Sequence, residues 1–139
     1  MPTIQKSMRI KEKTVKEIEQ IAEESEKEFS NIANDLLEAA VKTYRCPGII
    51  FAEGTTGRRA RIAGTGIEVW EVTAAFKGMG EDMARLRKAF HWLTEQQLMA
   101  AIGYYSMYPE EIDRLIKQNE ELTREHVHKR YPFLHRGSR

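Results

Sequence analysis

The chain of 139 residues has little of what several large protein classes require. Its single cysteine, Cys46, permits no disulfide within one copy and no thiolate metal cluster. No apolar run approaches the roughly 20 residues that span a bilayer. The N-terminus lacks the apolar core of a secretory signal, so the expected home is the cytoplasm. Net charge is nearly absent too: 22 basic side chains against 21 acidic ones leave +1, which by itself demands no nucleic-acid partner. No paired acids, nucleophile triad or metal-ligand set stands out, so the chain is not expected to be an enzyme or to need a cofactor or metal. His126-x-His128 has no third ligand at a plausible spacing and reads as surface. Cys46 has no obvious histidine partner that would make it a nucleophile. Gly54-x-x-Gly57 lacks the lysine and Ser/Thr of a phosphate loop and reads as part of a turn.

What is present is unevenly spread. Apolar residues make up 41% of the chain, enough for a core, and charged ones 31%. Residues 11–28 carry seven acids (Glu12, Glu17, Glu19, Glu23, Glu24, Glu26, Glu28) against four lysines. Positive charge gathers instead at Arg58, Arg59 and Arg61 and again from Arg124 to Arg139. That pattern is compatible with directed rather than whole-surface binding of an anion. The plainer reading is solvated helix faces plus an untidy tail, and for the tail it is the preferred one.

Residues 4–10, Ile-Gln-Lys-Ser-Met-Arg-Ile, read as one short strand followed directly by two helices. A lone strand is unstable in water and needs its partner from another chain. In an antiparallel pair, Met8 and Ile10 face inward, while Gln5, Ser7 and Arg9 share the outer face. Such a two-stranded ribbon suits the DNA major groove, although a merely solvated strand face would look the same. Thr14 with Glu17 has the spacing of a capping box and predicts the start of the first helix, in which Val15, Ile18, Ile21 and Ala22 recur at helical spacing. A break is expected near Phe29-Ser30-Asn31, with Ser30 capping a second helix. The apolar stripe of that helix is Ile32, Ala33, Leu36, Leu37, Ala40, Val41 and Tyr44. Strand and helices span about 40 residues, marginal for a monomer, which points to an intertwined dimer.

Pro47-Gly48 stops the second helix and opens a second unit. Ile49-Ile50-Phe51, the turn Gly54-Thr55-Thr56-Gly57 and Arg58 to Ile62 predict a hairpin. Ala63-Gly64-Thr65-Gly66 is a further tight turn. Helices are expected over about Val69–Lys77, around Met83, Leu86 and Phe90, from Thr94 with Gln97 at the capping-box position, and from Pro109. In the third of these Leu98, Ala101, Ile102 and Tyr105 are the expected buried face. The apolar face of the last is Ile112, Leu115, Ile116 and Leu122. The expected organisation is residues 1–46, residues 47–125, and a basic, loosely ordered tail over 126–139. Arg59 and Arg61 share a strand face and, with Arg58, form a candidate second anionic contact, for phosphates or an acidic partner. A charged edge that discourages strand aggregation is the plainer alternative. Tyr104 and Tyr108, four apart on one helix, are a candidate exposed partner patch opposite much of the apolar set.

On strand Gln5–Ile10, the Thr14 helix and the Ser30-Asn31 helix start, the first unit resembles the ribbon-helix-helix family of Arc-, MetJ- and CopG-like repressors. That resemblance implies a dimer whose Gln5, Ser7 and Arg9 read base edges, arginine reaching guanine and glutamine adenine. It also implies a phosphate clamp by amides at the start of the second helix, at Ser30 and Asn31, with Lys6 as a further phosphate contact. Two departures stand out: Lys6 occupies a place usually apolar, and no glycine separates the helices.

The second unit resembles the antitoxin-associated domain of unknown function family 433. The matching residues are Arg61 to Trp70, Leu93-Thr94-Glu95-Gln96-Gln97, Ala100 to Tyr105, and Pro109 to Asp113. Gly66 and Glu68 stand where members usually have arginine and proline. The resemblance implies a helix-turn-helix-like fold and, often, a place beside a PIN-type ribonuclease toxin. The expected fold is therefore mainly α with short β: a ribbon-helix-helix intertwined dimer followed by a hairpin and a helix-turn-helix-like helical domain. The expected function is a dimeric, sequence-specific transcriptional repressor acting as a VapB-like antitoxin that binds operator DNA and a PIN-like toxin. The alternative is an interaction and dimerisation module without DNA binding. No membrane association is expected.

Overall fold

The protein is described by a computed structural model covering residues 2–54 and 57–130; side chains at 53, 54, 57 and 126–130 are outside the description. It is mainly helical, with one small two-stranded sheet. The chain divides into two compact units, Met1–Lys42 and Thr43–Arg139, each described by itself.

In the first unit, residues 2–11 have no regular secondary structure and residues 2–10 are exposed. Helix α1 (Glu12–Ser25) starts two residues before Thr14, with Lys11 as N-cap and no side-chain cap. Thr14 and Glu17 therefore lie inside the helix rather than boxing its start, which corrects the sequence-based expectation. The spacing that makes a capping box also arises at any i, i+3 pair within a helix. The missing interhelical glycine has a local explanation. Glu26 takes the left-handed conformation (φ +56°), and the Lys27 amide donates back to the Ala22 carbonyl at 3.0 Å. A glutamate thus performs the chain reversal usually given to glycine. Helix α2 (Phe29–Arg45) begins one residue before Ser30. Ser30 is consequently a first-turn residue and not the cap, and its carbonyl accepts from Asn34 Nδ2 at 2.8 Å. Among the described residues of this unit only Ala22 and Ile32 are buried.

The second unit has a core of its own. Strands β1 (Ile49–Gly54) and β2 (Gly57–Ile62) pair antiparallel, with Ile49 opposite Ile62, Ile50 opposite Arg61 and Ala52 opposite Arg59. Thr55 and Thr56 of the expected turn lie outside the described residues. The pleat sends Ile49, Ala60 and Ile62 inward, all buried, and Ile50, Arg59 and Arg61 outward. Four helices follow: α3 (Val69–Gly78), α4 (Met83–Ala89), α5 (Glu95–Met107) and α6 (Pro109–Arg130). Helix α3 packs on α5 and α6, and α5 also touches both strands. Ile49, Ile62, Val69, Val72, Leu86, Leu98, Ala101, Tyr104 and Ile112 fill the centre. Each large apolar side chain among them contributes ~1.5–3 kcal/mol by leaving water.

The helix starts follow the local chemistry. Asp82 caps α4 by accepting from the Ala84 and Arg85 amides. Thr94 and Gln97 form the expected capping box, with bonds of 3.0 and 2.8 Å. Thr94→Ala is expected to cost about 1 kcal/mol in a denaturant titration of the whole chain, with Thr94→Ser close to wild type. Helix α6 runs on to Arg130, so residues 126–130 are helical rather than loosely ordered. Its Glu-, Lys- and Arg-rich sequence favours helix, and Pro132 is the next breaker. Residues 131–139 of the expected tail lie outside the described residues. Residues 117–125 are all exposed, Leu122 among them, so the apolar face of α6 ends at Ile116. Among the described residues no helix is long and apolar enough to cross a membrane.

Candidate functional site

Four of the residues expected at DNA, Gln5, Lys6, Ser7 and Arg9, lie in the exposed segment before α1. Ser30 and Asn31 are exposed in the first turn of α2. The Asn31 amide already donates to the Glu28 carbonyl at 3.1 Å, so the expected phosphate clamp loses one of its two amides. Glu28, immediately before α2, is exposed as well and places an acidic residue next in sequence to the expected clamp.

The arginine cluster is organised by β2. Arg58 is exposed; Arg59 and Arg61 are half-buried on the outer sheet face. The turn over residues 63–66 folds the chain back: Gly64 takes φ +78°, and both the amide and the hydroxyl of Thr65 donate to the Ile62 carbonyl. This return sets Glu68 beside Arg61 as its bridge partner on the far side from Ile50. The Glu68 carboxylate nevertheless engages other groups. Its Oε1 accepts from the Trp70 indole nitrogen at 3.0 Å and lies 3.4 Å from Arg59 Nη1. The Glu68 amide in turn donates to Glu71 Oε2 at 2.8 Å, which ties the end of the turn to α3. Sequence reasoning does not anticipate Glu68 and Trp70 beside the arginines. The signal available is an acid seven residues after Arg61 across a glycine-rich return.

The tyrosine patch is not a patch. Tyr104 is 0% exposed and Tyr108 is half-buried. The Tyr104 ring meets Phe51 edge-on at 6.1 Å and Tyr108 at 4.8 Å between centroids. Its hydroxyl donates to Glu111 Oε2 at 2.7 Å. Burial, reinforced by Glu111, pushes the phenol far above its ordinary range, so it stays a permanent donor. The expected inward set is incomplete because α5 is surrounded on several sides, by α3, α6 and the hairpin. Its buried arc therefore includes Leu98, Ala101 and Tyr104.

Cys46 and Asp113 also occupy defined chemical settings. Burial raises the Cys46 thiol above its usual value, and its Sγ lies 3.6 Å from Met107 Sδ, an unreactive setting. Asp113 Oδ1 accepts from Lys77 Nζ and from the Tyr105 hydroxyl, each at 2.9 Å, and Lys77 also lies over the Tyr105 ring. These donors hold the Asp113 carboxyl below its ordinary range. A depressed folded-state value means that the ion pair stabilises above the unfolded carboxylate range and is lost as pH falls through the folded value. Both side chains are about half exposed, so Asp113→Asn is expected to cost under ~1 kcal/mol and to flatten the acid limb of a stability–pH curve. Among the described residues no three His, Cys, Asp or Glu side chains converge as a metal site.

The model of the family described as "Protein of unknown function (DUF433)" matches residues 49–105, from the start of the hairpin into α5. A crystal structure of a DUF433 member protein from Anabaena variabilis is 30% identical over 78% of this chain and 99% of that one, with a TM-score of 0.43. None of the curated proteins matches. The chain belongs to the DUF433 family.

Proposed function

We propose that the protein is a dimeric, sequence-specific DNA-binding repressor of the ribbon-helix-helix kind, acting in the cytoplasm as the antitoxin of a toxin–antitoxin pair. The observation that carries this reading is the imbalance of the first unit. It buries only Ala22 and Ile32 among the described residues, while Ile4, Met8, Leu37 and Val41 remain exposed, Ile4 at 90% and Leu37 at 57%. A second copy, whose residues 4–10 pair antiparallel with the first, would cover Met8 and Ile10 and leave Gln5, Ser7 and Arg9 outward. Those outward residue types match the donors and acceptors of the major groove. The second unit, a helix-turn-helix-like domain with its own core, would hold a PIN-like ribonuclease; the resemblance to an antitoxin-associated family supplies that partner class.

The test has two steps. Sedimentation should give a dimer, and a gel shift on the chain's own upstream DNA should give a sequence-dependent complex that weakens as salt rises. A second reading, interaction and dimerisation without DNA, is favoured by the acid excess over residues 11–28 and by Glu28 beside α2. A dimer with no DNA affinity even at low salt would establish that alternative and end the repressor proposal.

A further inference from the structure

Two sulfur atoms meet where the chain passes from α2 into the hairpin. Cys46 follows directly on α2, and its carbonyl accepts from the Ile49 amide at 3.2 Å, where β1 begins. Its side chain is 7% exposed and belongs to the core of the second unit. The Cys46 thiol donates to the Sδ of Met107, the last residue of α5, across 3.6 Å. Met107 itself is 45% exposed. An oxidant in solution therefore reaches the thioether before the thiol beneath it. Burial also keeps the thiol protonated, and that form reacts slowly. A thioether needs no deprotonation to be oxidised. Met8 and Met99 are more open, at 67% and 52%. Among the described residues, however, it is the Met107 sulfur that accepts from a buried thiol.

We infer that Met107 is an oxidation site that guards Cys46, and that hydrogen peroxide acting on Met107 uncovers the Cys46 thiol. In this step a lone pair of Sδ takes one peroxide oxygen as the O–O bond breaks. The proton on that oxygen passes to the other, which leaves as water. Sulfur gives up two electrons and the peroxide gains them. The product turns a flexible apolar side chain into a polar, chiral one. Its oxygen seeks water, and at the exposed end of α5 the side chain turns outward without unpacking the buried Leu98, Ala101 and Tyr104 of the same helix. Cys46 then loses its acceptor and its cover together. Oxidation thus has an order, Met107 first and Cys46 second, and the first step is one that methionine sulfoxide reductases reverse. The inference goes beyond the repressor reading and does not rest on it.

The full chain, treated with hydrogen peroxide and then with catalase, is pulsed with iodoacetamide and mapped by mass spectrometry. Met107 should gain one oxygen. Cys46, slow to alkylate before treatment, should then alkylate about tenfold faster or more, as a thiol moved from burial into solvent does. Tryptophan fluorescence should stay native, which separates local opening from unfolding. Reductases for both sulfoxide epimers should restore the slow rate in the same protein, a comparison that needs no variant. Met107→Leu, close in volume, should abolish the acceleration, and Met99→Leu should preserve it. Oxidation of Cys46 ahead of Met107, a Met107 sulfoxide with unchanged Cys46 alkylation, or acceleration that persists in Met107→Leu would overturn the inference. So would acceleration that the reductases fail to reverse, or that comes with loss of the native fluorescence.

Discussion

Replacing Tyr104 by alanine should lower the stability of the second unit by about 3–5 kcal/mol, the cost of deleting a large ring from a packed site. The ring is fully buried against Phe51 and Tyr108, so the cavity would open between the hairpin and α5. At about 4–8 °C per kcal/mol for a domain of this size, the midpoint should fall well beyond 10 °C. Trp70 and Trp92 both lie in the second unit and report its unfolding by fluorescence. Tyr104→Phe isolates the hydroxyl. It keeps the packing, removes the 2.7 Å bond to Glu111, and should cost about 1–3 kcal/mol as a hydrogen bond to a charged acceptor. A Tyr104→Ala protein as stable as wild type would show that the residue is not part of the core.

The second large effect follows from the proposed DNA binding. Arg9→Ala and Gln5→Ala should each remove about 1–3 kcal/mol of discrimination, roughly 5- to 150-fold, and only for the preferred sequence. Each substitution occurs twice in a dimer, so the effect per complex should exceed that of a single side chain. Lys6→Ala should behave differently, weakening all sequences alike and reducing the salt slope by about 1 for each phosphate that is no longer neutralised. Comparing specific and random duplexes at two salt concentrations separates the two behaviours. Equal weakening on both duplexes for Arg9→Ala would remove that residue from base reading, and no effect from either Arg9→Ala or Gln5→Ala would sink the ribbon.

The parts of the fold that are legible in the sequence rest on short-range chemistry. Thr94 with Gln97, Pro109, Pro47-Gly48 and the hairpin around Gly54 and Gly57 act through neighbours three or four residues away, and the structure uses each of them. Thr14 with Glu17 shows the limit of such signals, since the same spacing recurs inside helices. The reversal at Glu26 has no signal, because nothing in a glutamate announces a left-handed backbone. Residues whose roles depend on distant elements are hidden from such signals. Tyr104 reads as surface in the sequence because the number of elements surrounding α5 cannot be counted along one helix. Glu68 looks like a mere departure where a proline is usual. Its function becomes visible only when the turn over residues 63–66 carries it back to Arg59 and brings Trp70 with it.

The near absence of a core in the first unit has a kinetic meaning. If the first unit dimerises as proposed, a segment that buries two of its described residues by itself would gain much of its order from another copy, so its folded population would depend on how often molecules meet. The second unit has a core within one copy and would keep its fold on dilution. If synthesis stops and growth thins the pool, the N-terminal half would fall apart first and become accessible to proteases, while the C-terminal half stayed intact. Under the proposed repressor function, the abundance of the protein would then set DNA occupancy twice over, once through the binding equilibrium and once through whether the N-terminal half exists as a folded object at all.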